Sequence, residues 1–231
     1  VGERMKLAVI IPVYNAENTI RKAVKSIDTT HDVEIICIND GSTDRTKQVL
    51  TELQKEVKHL IVYHQDNQGA AKSRNMGLSA MSDDIDAFMF LDADDQFLPG
   101  KMDQMIQYYE KNDHLDIVIG QIGRGMHGDW KVIPTHEDIH REAMVSLAEA
   151  PEILQSIGPG GKLFKAKFNT LRFDEDVVFC EEHTFVTRAY LMARDIQLVP
   201  FIVYGYNERE GSITDQRADT FISYLEDARK V

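Results

Sequence analysis

An α/β fold with a mostly parallel central sheet and helices on both faces is what this sequence predicts, on three observations. Four short apolar runs alternate with helical patterns over the first half of the chain. The first of them, Leu7–Val13, is continuously apolar, as in a strand buried on both faces. Polar clusters follow three of them directly, where ligands sit in open α/β sheets.

Leu7–Val13 (LAVIIPV) reads as the first strand, and Ile20, Ala23, Val24 and Ile27 form one helical stripe after it. Val33–Ile38 is a second strand. A helix follows Thr43, with Val49, Leu50, Leu53 and Val57 on one face. Leu60–Tyr63 is a third strand, Ala70–Met81 a third helix and Asp86–Leu91 a fourth strand. This βαβαβαβ order predicts parallel pairing with right-handed crossovers. The second half is less regular. Asp116–Gly120 and Trp130–Ile133 read as strands, the latter antiparallel, and Gly158-Pro159-Gly160-Gly161 is a strong turn signal. Glu181–Arg194 has helical spacing, Ile196–Tyr204 is a strand or strand pair, and Thr220–Lys230 a terminal helix. With no repeat or low-complexity linker, residues 1–231 read as one domain.

Composition narrows the function classes. At 231 residues, 43% hydrophobic and 28% charged, the chain has ordinary globular composition. A formal charge of −12 argues against general nucleic-acid binding and offers no polybasic patch for a membrane. An acidic protein that handles a phosphate ligand needs a cation to do so. Cys37 and Cys180 have no metal-ligand spacing, and Cys37 in its apolar run reads as a buried free thiol. No signal-peptide pattern or membrane-length apolar stretch is evident. The expected location is the cytoplasm, the inner face of the membrane included.

Candidate chemistry clusters after the strands. On an extended chain Asp92 and Asp94 point to one face, so both carboxylates can meet one hard divalent cation. A solvated acidic turn, or a cap for the helix beginning near Pro99, accounts for the same residues. In Asn39-Asp40-Gly41-Ser42-Thr43-Asp44, Gly41 permits a tight turn and Ser42, Thr43 or Asp44 can cap the next helix. Asp40 is not needed for that cap, and its carboxylate can accept the imide N–H of a uracil. Asn67–Asn75 (NQGAAKSRN) opens a helix with small residues, from which Lys72 and Arg74 can reach phosphates. A capped helix with surface cations is the simpler account. Glu181 and Glu182 either stabilise a helix N-terminus or supply a general base. His136 and His140 flank Asp138 in a polar stretch and read as solvated. No dinucleotide fingerprint, P-loop or nucleophile elbow is present.

Ala8–Asn15 (AVIIPVYN), Asn39–Asp44 (NDGSTD), Asn67–Asn75 and Leu91–Asp95 (LDADD) stand in an order and spacing that resembles the family 2 glycosyltransferases with the GT-A fold. Gly161–Lys165, Cys180–Phe185 and Tyr206–Thr214 are similar to weaker motifs of that family, especially in bacterial members that build surface polysaccharides. The resemblance implies a nucleotide-sugar half over residues 6–100 and a smaller, mixed acceptor half over 101–231. It implies that Tyr14 stacks on the base, Asp40 holds the imide, Asp92 contacts the ribose and Asp94 binds Mn²⁺ or Mg²⁺, with Asp92 as a further metal ligand. Pro12, Glu17, Asn67, Gly69, Lys72, Arg74 and Ala93 complete the implied nucleotide site. Arg209 would serve the phosphate side within a lid over 208–213. Glu182 stands where the family carries an aspartate base, with Glu181 beside it as the alternative. The family often has tryptophan or asparagine before Lys162, where this chain has Gly160-Gly161.

The implied activity is inverting transfer of a sugar from a UDP-sugar to a hydroxyl of a glycan, lipid-linked or protein acceptor. A nucleotidyltransferase is one rival, although a basic glycine-rich loop is missing after the first strand. A sugar-nucleotide-binding domain without turnover is the other.

Overall fold

Lys6–Val13, rich in β-branched residues, forms β1, at the centre of the first-half strands. In this computed structural model, which describes residues 4–126, 128–177 and 180–207, β1 pairs in parallel with β2 (Asp32–Asp40) and β4 (Ala87–Phe90). Strand β3 (Leu60–Gln65) extends the sheet beyond β2, with Asp40 opposite Gln65. Side chains alternate across β1: Leu7, Val9, Ile11 and Val13 enter one core, Ala8 and Ile10 the other. Helices α1 (Ile20–Lys25), α2 (Thr46–Glu56) and α4 (Lys101–Lys111) cover the first face. Helices α3 (Ala70–Ala80) and α5 (Glu181–Met192) cover the second. Gly77 lets α3 approach β1 closely, because a Cβ there would sit 2.3 Å from Ile10 Cγ2.

Strands of the second half join the same sheet. They are β5 (Gln96–Phe97), β6 (Ile117–Met126), β7 (Asp129–Val132), β8 (Ala143–Val145), β9 (Lys162–Lys165) and β10 (Ile196–Asn207). The order is β3-β2-β1-β4-β9-β6-β10-β5, with β7 beside β6 and β8 beside β10. Strand β9 is antiparallel to both β4 and β6, so it joins the two halves. The antiparallel β6–β7 pair matches the sequence expectation. Strands β5, β8 and β9 carry two to four residues each, too few to show a period. The terminal helix expected over 220–230 lies outside the described residues.

One expectation fails on this side of the molecule. His136 is not solvated: it is 1% exposed, and its Nε2 pairs with Ser156 Oγ at 2.7 Å. Ser156 Oγ also accepts from Lys162 Nζ at 2.8 Å, and Lys162 donates again to the Gly158 carbonyl. The Tyr190 hydroxyl donates to the Ser156 carbonyl. His136 is buried because these partners, distant in sequence, offer it a polar interior. His140 is exposed, with its ring bonded to the Pro200 carbonyl. Cys37 is buried as expected, and burial raises its thiol pKa.

Burial pushes Lys162 down to about 7 and, together with the Lys162 charge, His136 down to about 3. Between pH 7 and the ordinary lysine value of 10.5, unfolded chains bind a proton at Lys162 that folded chains release. The Lys162 contribution to stability therefore rises with pH through that window and is at its minimum below it. Denaturant titrations from pH 6 to 10 should show that slope in wild type and lose it in Lys162→Met. Equal slopes would contradict the buried, neutral-favouring environment.

Candidate active site

The cleft lies at the carboxyl ends of β1, β2 and β4, with a volume of about 350 Å³. Pro12, Tyr14, Asn15, Asp40, Ser73, Arg74, Asp92, Ala93, Asp94 and Glu181 line it. Tyr14 is 52% exposed, a ring presented at the rim.

Asp40 terminates β2 and is 4% exposed. Its Oδ1 accepts from Gln65 Nε2 at 2.7 Å and Gln68 N at 2.8 Å, and its Oδ2 from Gly69 N at 2.8 Å. Asp40 therefore organises the lead into α3, a structural duty that the sequence did not reveal. A carboxylate offers about four lone-pair sites, so capacity for one more donor remains. Gly41, with φ +66°, is required twice over: a Cβ there would meet Asn67 N at 2.6 Å. Asp44, at the start of α2, accepts from Thr46 N and Oγ1 and from Glu17 N.

The Asp92–Asp95 segment is a turn, not the extended chain expected. The Asp95 N–H donates to the Asp92 carbonyl at 3.0 Å, and the turn brings Asp92 and Asp94 to one cleft wall. Asp95 points away from the cleft and is 2% exposed. Burial, then the charges of Asp92 and Asp94, push it up to about 8.

Arg74 occupies the centre. Its Nη2 donates to Asp92 Oδ1 at 3.0 Å and its Nη1 to Glu181 Oε1 at 2.9 Å, with the guanidinium carbon 5.4 Å from the Phe173 ring centre. Phe173 stacks on Phe185 of α5 at 4.3 Å. Burial alone would lower the Arg74 pKa, but Asp92 and Glu181 outweigh it and hold the guanidinium charged. Arg74 is thus engaged by carboxylates, where the sequence suggested phosphate. Glu181 is raised to about 7 by burial and by Glu182, against the pull of Arg74.

The predicted residues do not all converge. Pro12, Tyr14, Asp40, Arg74, Asp92, Ala93, Asp94 and Glu181 share the cleft. Glu182 is not among its lining residues, although its charge acts on both Arg74 and Glu181. Glu17 instead accepts from Arg45 N and Nε. Asn67 is exposed and packs over Gly41, and Gly69 supplies its N–H to Asp40. Lys72 lines a separate groove on the other side of α3, with Gln65, Gln68 and Arg172. Arg209 and the 208–213 lid lie outside the described residues. Gln65, Ser73, Asp95 and Tyr204 were missed. Only the β2–β3 register and the run of acids after Leu91 hint at the first and third.

Among the described residues no group of three or more His, Cys, Asp or Glu can hold a metal unaided. Asp92 and Asp94 supply two hard oxygen donors at the cleft wall. Mg²⁺-type sites commonly combine one or two carboxylates with substrate phosphates. This donor set fits such an ion when a phosphate ligand completes it.

The family model for Glycosyl transferase family 2 matches residues 8–179. TagX of Staphylococcus aureus, a protein named as a glycosyltransferase, is 36% identical over 98% of this chain and 65% of its own. Glycosyltransferase GlyA of Streptococcus pneumoniae is 31% identical over 96% of this chain and 33% of its own. The chain thus spans just under two thirds of TagX and one third of GlyA. Among solved structures, S. aureus TarS 1–349 in complex with UDP-GlcNAc superposes with a TM-score of 0.78 at 23% identity, covering 91% of this chain and 61% of that one. The fold is the GT-A fold of such neighbours. With its motifs in order along β1, β2, α3 and β4, and the family model matching 8–179, the chain belongs to glycosyl transferase family 2.

Proposed function

We propose that this chain transfers a sugar from a UDP-sugar to an acceptor hydroxyl with inversion, in the synthesis of a cell-surface polysaccharide. The observation that carries the reading is the Arg74 bridge, which joins Asp92, after β4, to Glu181, at the start of α5, across one cleft. TagX and GlyA, both named as glycosyltransferases, and the UDP-GlcNAc complex of TarS support it.

In the proposed reaction Tyr14 stacks on the uracil and Asp40 accepts its imide N–H with the remaining lone pair. Asp92 faces the ribose. Glu182, which stands where the family carries its base, takes the acceptor proton, while Arg74 holds Glu181 beside it. The acceptor oxygen then bonds to the anomeric carbon as the bond to the diphosphate breaks, through an oxocarbenium-like state. Asp92 and Asp94 would hold Mn²⁺ or Mg²⁺, whose charge offsets that of the leaving diphosphate. The acceptor is a glycan, lipid-linked or protein hydroxyl, and the work is done in the cytoplasm or at the inner membrane face.

Glu182→Gln should lower transfer by about 10²–10⁴-fold with UDP affinity near wild type. Glu181→Gln should cost far less, since a glutamine oxygen still accepts from Arg74. The wild-type rate should rise with pH through about 7, as Glu181 ionises and its charge strengthens the neighbouring base, and Glu181→Gln should remove that inflection. Full transfer by Glu182→Gln would assign the base elsewhere.

UDP should bind more tightly than GDP or CMP in calorimetry. Asp40→Ala should weaken UDP by about 1.5–3 kcal/mol and also lower the melting temperature, since Gln65, Gln68 and Gly69 lose their acceptor. Equal affinity for the three nucleotides would remove the uracil assignment. Chelation should weaken UDP binding in wild type and change nothing in Asp94→Ala. A chelated wild type that binds and turns over normally would remove the metal.

A further inference from the structure

The Asp92–Asp94 turn is held from behind by residues that do not line the cleft. The Tyr204 hydroxyl accepts from Asp92 N at 3.1 Å and donates to Asp95 Oδ2 at 2.7 Å. Asn207 donates its backbone N–H to Asp95 Oδ1 at 3.1 Å and its side-chain amide to the Asp94 carbonyl at 2.6 Å. Tyr204 and Asp95 are 3% and 2% exposed, and none of the three is a cleft-lining residue. The Tyr204 ring is itself fixed, edge-on to Phe97 at 6.0 Å and packed over Gly160, where a Cβ would lie 3.1 Å away.

We propose that Asp95, Tyr204 and Asn207 are positioning residues that lock the Asp92–Asp94 turn to β10, so that the acceptor-half strand sets the donor-binding geometry. Asp95 accepts two hydrogen bonds but has no ion pair among the described residues. A buried carboxyl group is costly, and apolar packing would hold a plain structural turn at lower cost. What the carboxylate adds is direction: its oxygens tie two residues of β10 to the turn, and those residues in turn bond Asp92 N and the Asp94 carbonyl. The tyrosine hydroxyl serves as acceptor and donor at once, so removing it orphans a backbone N–H and a carboxylate oxygen together.

The inference rests on the reading of Asp92 and Asp94 as donor-side residues, and Asp94→Ala is the control for that reading. Calorimetry of UDP binding with and without Mn²⁺ would be run on wild type, Asp94→Ala, Tyr204→Phe, Asn207→Ala and Asp95→Asn, with thermal melting of each. Asn207→Ala deletes only the bond to the Asp94 carbonyl and keeps the backbone bond, so it should fold even where Asp95→Asn does not. Tyr204→Phe and Asn207→Ala should each weaken Mn²⁺-supported UDP binding about tenfold and raise the Mn²⁺ concentration for half-maximal binding. Acceptor KM should stay near wild type, an asymmetry that general loosening of the fold would not produce. If Asp94→Ala weakens UDP while Tyr204→Phe and Asn207→Ala bind like wild type, the lock is overturned and the donor reading survives. If Asp94→Ala itself leaves Mn²⁺-supported binding unchanged, the donor reading falls and takes the lock's role with it.

Discussion

One guanidinium holds the two sides of this cleft together. Arg74 is 5% exposed and spans from Asp92, at the end of β4, to Glu181, 107 residues away at the start of α5. Its face rests on Phe173, which stacks on Phe185, so packing as well as charge fixes it. Three carboxylates, Asp92, Glu181 and Glu182, act on it, and burial, followed by the Glu182 charge, raises Glu181. Breaking a buried pair by removing one partner costs about 3–5 kcal/mol; the Arg74–Glu181 pair is of that kind, while Asp92 is 44% exposed and its pair is worth less. Asp92 and the start of α5 are both anchored by that side chain.

The sheet explains why the bridge can exist. Strand β9, antiparallel between β4 and β6, sets the second half beside the first in one layer. Helices α3 and α5 then share one face and pack on a common aromatic core of Phe88, Phe90, Phe164 and Phe185. With both helices there, Arg74 from one meets Glu181 from the other. On the far side of the turn, Tyr204 and Asn207 of β10 give a second attachment that uses hydrogen bonds alone.

Much of this was legible in the sequence, and the rest was hidden for physical reasons. Apolar runs announced β1, β2 and β4, because strands buried on both faces leave no ambiguity of face. The polar clusters after them placed the cleft and most of its lining. Strand β9 was hidden in a motif, Gly161–Lys165, whose strand is only four residues long. The duty of Asp40 depends on lateral register with Gln65, which local pattern does not encode. Arg74 looked like a phosphate ligand because its carboxylate partners are contributed by distant segments. His136 looked solvated because its neighbours are polar, while Ser156 and Lys162 make a polar interior for it. Local periodicity carried the elements, and long-range pairing decided what the charged residues do.

Arg74 is in direct ion contact with Glu181, and the titration of Glu181 reports that contact. Carboxyl-carbon NMR on protein labelled at glutamate, assigned through Glu181→Gln, would follow the group in wild type and in Arg74→Met. Arg74 pulls the Glu181 value down against burial and Glu182, so its removal should raise that value further above about 7. A Glu181 that titrates at the same pH, or lower, in folded Arg74→Met would contradict the account.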